Sequence, residues 1–153
     1  MLLAALIAAT LAAPAPAAAA SPCHVHARRP DHRCTPGAVF PRATEKRICR
    51  VGYTRTVRNV PKRVKNLVYA RYGITRHSRA TYEMDHLIPL ELGGSNKQAN
   101  RWPEAAKPFP GFHQKDTLEN TLHAAVCEGR MRLLQAQHLI AADWVKTYDA
   151  LVR

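Results

Sequence analysis

Acidic residues are scarce in this chain of 153 residues: 11 Asp and Glu stand against 23 Lys and Arg, a formal charge of +12 at pH 7 and a pI near 10.2. Such a surface attracts polyanions, nucleic acid first and then anionic lipid or wall polymer, through phosphate-type contacts that salt weakens. Charge is absent altogether from Met1 to Ala20, which is almost all Ala and Leu and ends in Ala18-Ala19-Ala20 before Ser21. That pattern is the apolar region and small-residue cleavage site of a secretory signal, here without the usual cationic start. The run is short for a span and is interrupted by Pro14 and Pro16, so no stable membrane association is expected after cleavage. His-Glu-x-x-His is missing too, which speaks against a zinc peptidase, and no internal repeat is visible.

What remains from Ser21 onward is about 130 residues, enough for one compact domain. It holds all four cysteines, Cys23, Cys34, Cys49 and Cys127, an even set that reads as two disulfides in an exported chain. Proximity favours Cys23 with Cys34, which leaves Cys49 with Cys127. The competing reading is a metal cluster of Cys23, His24, His26, His32 and Cys34, whose spacing matches no common zinc pattern.

Residues 21–45 are rich in Pro, His and Arg without a hydrophobic period, an arm that is either flexible or pinned by a disulfide; residues 46–153 form the domain. The stretch from Ile48 to Arg58 suits one or two short extended pieces. A helix is expected after Pro61, with Val64, Leu67, Val68 and Tyr72 inward and Gly73 as its stop. Its other face carries Lys62, Arg63, Lys65 and Arg71, as solvated charge or as a phosphate-tracking surface. Ala80 to His86 alternates as a strand ended by Pro89, and Gly93-Gly94 supplies a tight turn. Arg101 to Gly111, with Pro103, Pro108 and Pro110, reads as a loop whose inner side is Trp102, Phe109 and Phe112. Lys115 to Cys127 reads as a helix with a stripe of Leu118, Leu122, Ala125 and Val126. A last helix runs from about Leu133 to Val152 on Ala136, Leu139, Ile140, Val145, Tyr148 and Leu151, a stripe that Trp144 fits poorly.

The chemistry concentrates in Met84-Asp85-His86-Leu87-Ile88-Pro89-Leu90, then Gly93-Gly94-Ser95-Asn96 and Asn100. A carboxylate and an imidazole side by side at a strand end, a glycine turn and an amide are the parts a phosphodiester hydrolase needs: metal ligand, base for water, and loop pin. From about Tyr82 to His123 this arrangement resembles the HNH endonuclease family with its ββα-metal motif, and the whole exported chain is similar to small bacterial proteins of that type with a Lys-Asp-x-x-Glu-Asn-x-x-His helix. The resemblance implies an α+β fold: an HNH-like core with flanking helices, here stapled by disulfides where the family often has Cys-x-x-Cys pairs. It implies His86 as general base, Asp85 as ligand of a divalent metal (Mg²⁺, Mn²⁺ or Zn²⁺), and Asn100 as the amide that fixes the aim of His86.

The further ligands are chosen by helix geometry. At about 100° per residue, Lys115, Glu119 and His123 flank one side of the core stripe. Glu119 and His123 lie four residues apart and point the same way, so they are expected to join Asp85 on the ion, with Lys115 as a phosphate contact. Asp116, Asn120 and His113 are the alternatives, and an ordinary surface pair is the plain reading of Glu119 and His123. The expectation is a secreted, metal-dependent nuclease that cuts DNA, with RNA as a second substrate, largely without sequence preference. Its rival is a non-catalytic cationic protein that holds nucleic acid or an anionic wall polymer.

Overall fold

The computed structural model describes residues 23–26 and 28–153, so the apolar leader expected at Met1–Ala20 lies outside the described residues. Helices α1 (Glu45–Ile48), α2 (Tyr53–Val57) and α3 (Lys62–Arg71) precede strands β1 (Tyr82–His86) and β2 (Arg101–Ala105). Helices α4 (Phe112–Cys127) and α5 (Leu133–Leu151) follow. The fold is α+β, with a two-stranded antiparallel sheet and two disulfides, Cys23–Cys34 and Cys49–Cys127. Among the described residues, no helix is long and apolar enough to cross a membrane.

Ile48 to Arg58 is not extended: it folds as two short helices separated by Gly52, whose φ of +79° is open to glycine at little cost. The turn lets Ile48 and Tyr53 enter one core while Cys49 reaches Cys127, and so few apolar residues leave no period to read in the sequence. Helix α3 is where it was expected, but rotated. Val68, Tyr69 and Tyr72 are buried and Leu67 is half exposed.

Residues 101–105, expected as loop, are a strand. Leu87 N–H donates to Asn100 O at 2.8 Å and Ala106 N–H to Thr81 O at 2.9 Å, which brackets the ladder. The pairing sets Met84 opposite Pro103 between those hydrogen-bonded pairs, so the missing N–H of proline removes no ladder bond. Between the strands, the chain doubles back so tightly at Gly94 that a Cβ there would lie 1.7 Å from the carbonyl oxygen of Ile88.

The principal core joins Ile48, Tyr53, Ile88 and Leu92 to Leu118, Leu122 and Val126 of α4 and Leu133, Ala136, Ile140 and Trp144 of α5. Trp144 is buried because α5 breaks at Asp143 (φ −161°, ψ 88°), which shifts the phase of its last two turns. Its indole N–H then donates to Arg28 O at 2.9 Å. A smaller cluster of Cys23, Tyr72, Leu87 and Trp102 carries the arm. There Thr35 Oγ1 meets Tyr72 Oη at 2.8 Å and donates to Arg101 O at 3.1 Å.

Candidate functional site

The end of β1 faces the first turns of α4. Lys115, fully buried, points its ammonium between them: Nζ donates to Asp85 Oδ2 at 2.6 Å, to His86 O at 3.0 Å and to a carboxylate oxygen of Glu119. Burial alone would raise the Asp85 carboxyl, but the ion pair with Lys115 outweighs it and holds Asp85 below its ordinary range. Burial wins at Glu119 and Glu104, which are both raised, and Glu83 is pushed up to about 7 by burial and by Asp85. The balance is physical. One ammonium compensates about one carboxylate in a place where unpaired charge is costly.

His86 is 4 % exposed, and burial pushes its imidazole down to about 4 against the opposing pull of Asp85 and of a hydrogen bond to Asn96. It is therefore neutral at pH 7. Asn96 Nδ2 donates to Val57 O at 2.7 Å, which leaves Asn96 Oδ1 as the acceptor facing His86 Nε2 at 3.1 Å. The ring must carry its proton on Nε2 to satisfy that contact, so the lone pair sits on Nδ1. Nδ1 has no protein hydrogen bond among the described residues and is not one of the atoms sealed from solvent without a partner.

Asn100, wholly buried, grips the loop that follows His86. Its Oδ1 accepts from Ile88 N–H at 2.9 Å and Ala38 N–H at 3.3 Å, while Nδ2 donates to Ile88 O at 2.9 Å and Ser95 O at 3.0 Å. All four of its hydrogen-bonding positions are used, so the amide is a structural rivet beside the imidazole. No family model, curated protein or solved structure matches the chain.

The expected ligand trio is divided. Asp85 and Glu119 meet on the same ammonium, but the His123 ring turns to Ile48 O at 3.2 Å and lies 3.4 Å from Cys127 Sγ. Cys49, Cys127 and His123 are close enough to hold an ion, yet both sulfurs are spent in the disulfide, so thiolate ligation is ruled out there. Lys115, expected as a phosphate contact, is inside the protein and engaged by acceptors. His113, Asp116 and Asn120 are exposed, and Asn120 bonds back to Asp116 O at 2.9 Å.

Two residues absent from the sequence expectation complete the cluster. Glu83 lies directly across the sheet from Glu104, and one carboxylate oxygen from each of Glu83, Asp85 and Glu104 lies within 4.8 Å of the others. Glu104 is 1 % exposed and no N–H group or hydroxyl donates to either of its oxygens; its one hydrogen-bonding neighbour is the Asp85 carboxylate, to which it can donate only when protonated. The signal for Glu83 was the strand alternation that puts it on the Asp85 face. Glu104 had no such signal while Arg101–Ala105 read as loop.

On the open side, Arg58 is exposed and close enough to depress the titration of both His86 and Glu83. Arg47, Arg55, Lys62, Arg63 and Lys65 of α1–α3 are also exposed, and, among the described residues, none of these side chains is in an ion pair.

Proposed function

We propose that the protein is a secreted, metal-dependent phosphodiester hydrolase of the HNH type, acting on DNA and secondarily on RNA. The observation that carries this reading is the state of His86: neutral at pH 7, held at Nε2 by a fixed amide, and free at Nδ1, one residue from a carboxylate. That is the arrangement of a general base whose aim is set before substrate arrives. Its lowered pKa makes it a weaker base than free imidazole, and it keeps the lone pair available into mildly acidic solution.

Asp85, with oxygen neighbours at Glu83 and Glu104, would hold the divalent ion, for which an all-oxygen donor set suits Mg²⁺ or Mn²⁺. Such an ion, when bound, supplies Lewis-acid stabilisation of the charge that grows on the phosphate oxygens. His86 Nδ1 takes the proton of the attacking water. Asn96 and Asn100 keep the ring and its loop from turning, and Arg58 takes the phosphate contact that Lys115 is too buried to make. The exposed cations of α1–α3 supply affinity without base reading, so binding should weaken steeply with salt. Export accords with the two disulfides and the apolar Met1–Ala20 leader.

The test is plasmid incubated with protein and Mg²⁺ or Mn²⁺, with and without EDTA. Cutting that the chelator stops and that falls at least about 10²-fold in His86→Ala supports the hydrolase. A specific observation favours a second reading: Lys115 already neutralises Asp85, as it would in a purely structural ion pair. Retarded but uncut DNA in every condition would make the protein a cationic binding module for nucleic acid or an anionic wall polymer.

A further inference from the structure

We propose that Glu83, Asp85 and Glu104 form a cross-strand cage that binds one hard divalent cation, and that neither Glu119 nor His123 is a ligand. The sheet register makes the cage. Glu83 and Glu104 are directly opposed on an antiparallel ladder, and Asp85 follows Glu83 on the same face. Like charges directly opposite one another are destabilising, so these two glutamates ionise together only beside a counter-ion.

Glu104 supplies the second and independent observation. It is 1 % exposed, no N–H group or hydroxyl donates to either of its oxygens, and one of them lies within 4.8 Å of both neighbouring carboxylates, where a proton shared with Asp85 stands in the place an ion would take. Lys115 is near enough to act on Glu104 through space, but it gives it no hydrogen bond, because the ammonium donates to Asp85, Glu119 and a backbone carbonyl. Two oxygens bound to one ion at about 2.0–2.6 Å stand at most about 4–5 Å apart, and these three lie within 4.8 Å of one another. Carboxylates without nitrogen or sulfur select Mg²⁺, Mn²⁺ or Ca²⁺ rather than Zn²⁺. Lys115 then has a positioning role: it engages Asp85 Oδ2, and the other oxygen is left to the cage. In taking the ion to be the hydrolytic one, the inference rests on the function proposed above. The binding itself stands on the geometry.

Mn²⁺ binding to the disulfide-bonded protein, followed by calorimetry and by the electron paramagnetic resonance of free Mn²⁺, tests the cage without reference to cutting. One site per chain is expected, displaced by Mg²⁺ or Ca²⁺. Glu104→Gln and Glu83→Gln should each weaken it at least tenfold, with melting in EDTA unchanged or raised. Glu119→Gln and His123→Ala should leave it within about twofold. Should Glu104→Gln fail to fold, Glu83→Gln at its more exposed position decides. Absence of a Mn²⁺ site, unchanged affinity in the foldable cage variants, or loss of the site on changing Glu119 or His123 overturns the proposal. Plasmid cutting read in parallel separates the two claims. A protein that binds Mn²⁺ through the cage but cuts nothing refutes only the hydrolase, and one that cuts with its affinity indifferent to Glu83 and Glu104 refutes only the cage.

Discussion

The two halves of α4 are held to the rest of the molecule by opposite means. Its first half presents Lys115 and Glu119 to the Asp85 end of β1, a contact made of buried charge. Its second half presents His123 and Cys127 to α1, a contact made of a covalent bond and a hydrogen bond to Ile48 O. Lys115 and His123 are separated by about 12 Å of helix. The same repeat that aligns Lys115, Glu119 and His123 on one face therefore carries them past different neighbours. One end is held by charge and so responds to protons; the other is held by a covalent bond. A polar stripe on a helix thus does not amount to a single site.

The largest effect should come from the covalent end. Replacing Cys49 and Cys127 by Ser opens a loop spanning 78 residues in sequence and should cost about 4–5 kcal/mol on the chain-entropy account, seen in denaturant unfolding with and without reductant. An unchanged midpoint would show that the His123 half is held by packing alone. Next comes the ionic end. Lys115→Met should cost about 3–4 kcal/mol at pH 7, because it strands Asp85 among buried carboxylates. The loss should shrink as pH falls and Asp85, no longer held low by the ammonium, takes up a proton, a trend that the Cys variant would not show.

His86 sharpens the contrast further. Its folded pKa of about 4 lies below the ordinary 6.5, so the unfolded chain takes the proton first. The stability contributed by the neutral ring is complete above pH 6.5 and is lost as pH falls toward 4, about 3 kcal/mol over the whole window. Thermal melts of the protein and of His86→Gln between pH 7 and pH 4.5 should converge; parallel curves would mean that the imidazole is not desolvated as it appears in the fold. The smallest effect is expected at His123→Ala. Removal of one hydrogen bond to Ile48 O should cost about 1 kcal/mol and leave cutting within twofold. A collapse of cutting would return His123 to the reacting centre.

Much of this was legible in the residues. The Asp85-His86 pair, the Gly93-Gly94 turn and Asn100 marked where the loop would close. The even cysteine count and chain proximity pointed to Cys23–Cys34 and Cys49–Cys127, and the stripe of Leu118, Leu122, Ala125 and Val126 marked α4. The failures share a cause. Pro103 argued against a strand because the pairing position that makes a proline harmless is a property of the partner strand. Trp144 looked peripheral because the break at Asp143, where Oδ1 accepts from Lys146 N–H at 3.1 Å and Oδ2 pairs with Arg29 at 2.7 Å, depends on an arm more than a hundred residues away. Ile48 to Arg58 became helical because two side chains had to meet one core.

By itself, the sequence determined an α+β chain with a cationic surface, two disulfides and an Asp-His pair at a strand end, because those follow from composition, spacing and local periodicity. Tertiary structure alone decided that Glu104 faces Glu83, that Lys115 is an internal counter-ion, and that His123 belongs to the disulfide. Each of those depends on register or helix rotation, which is set by the packing of distant elements and has no local trace in the chain.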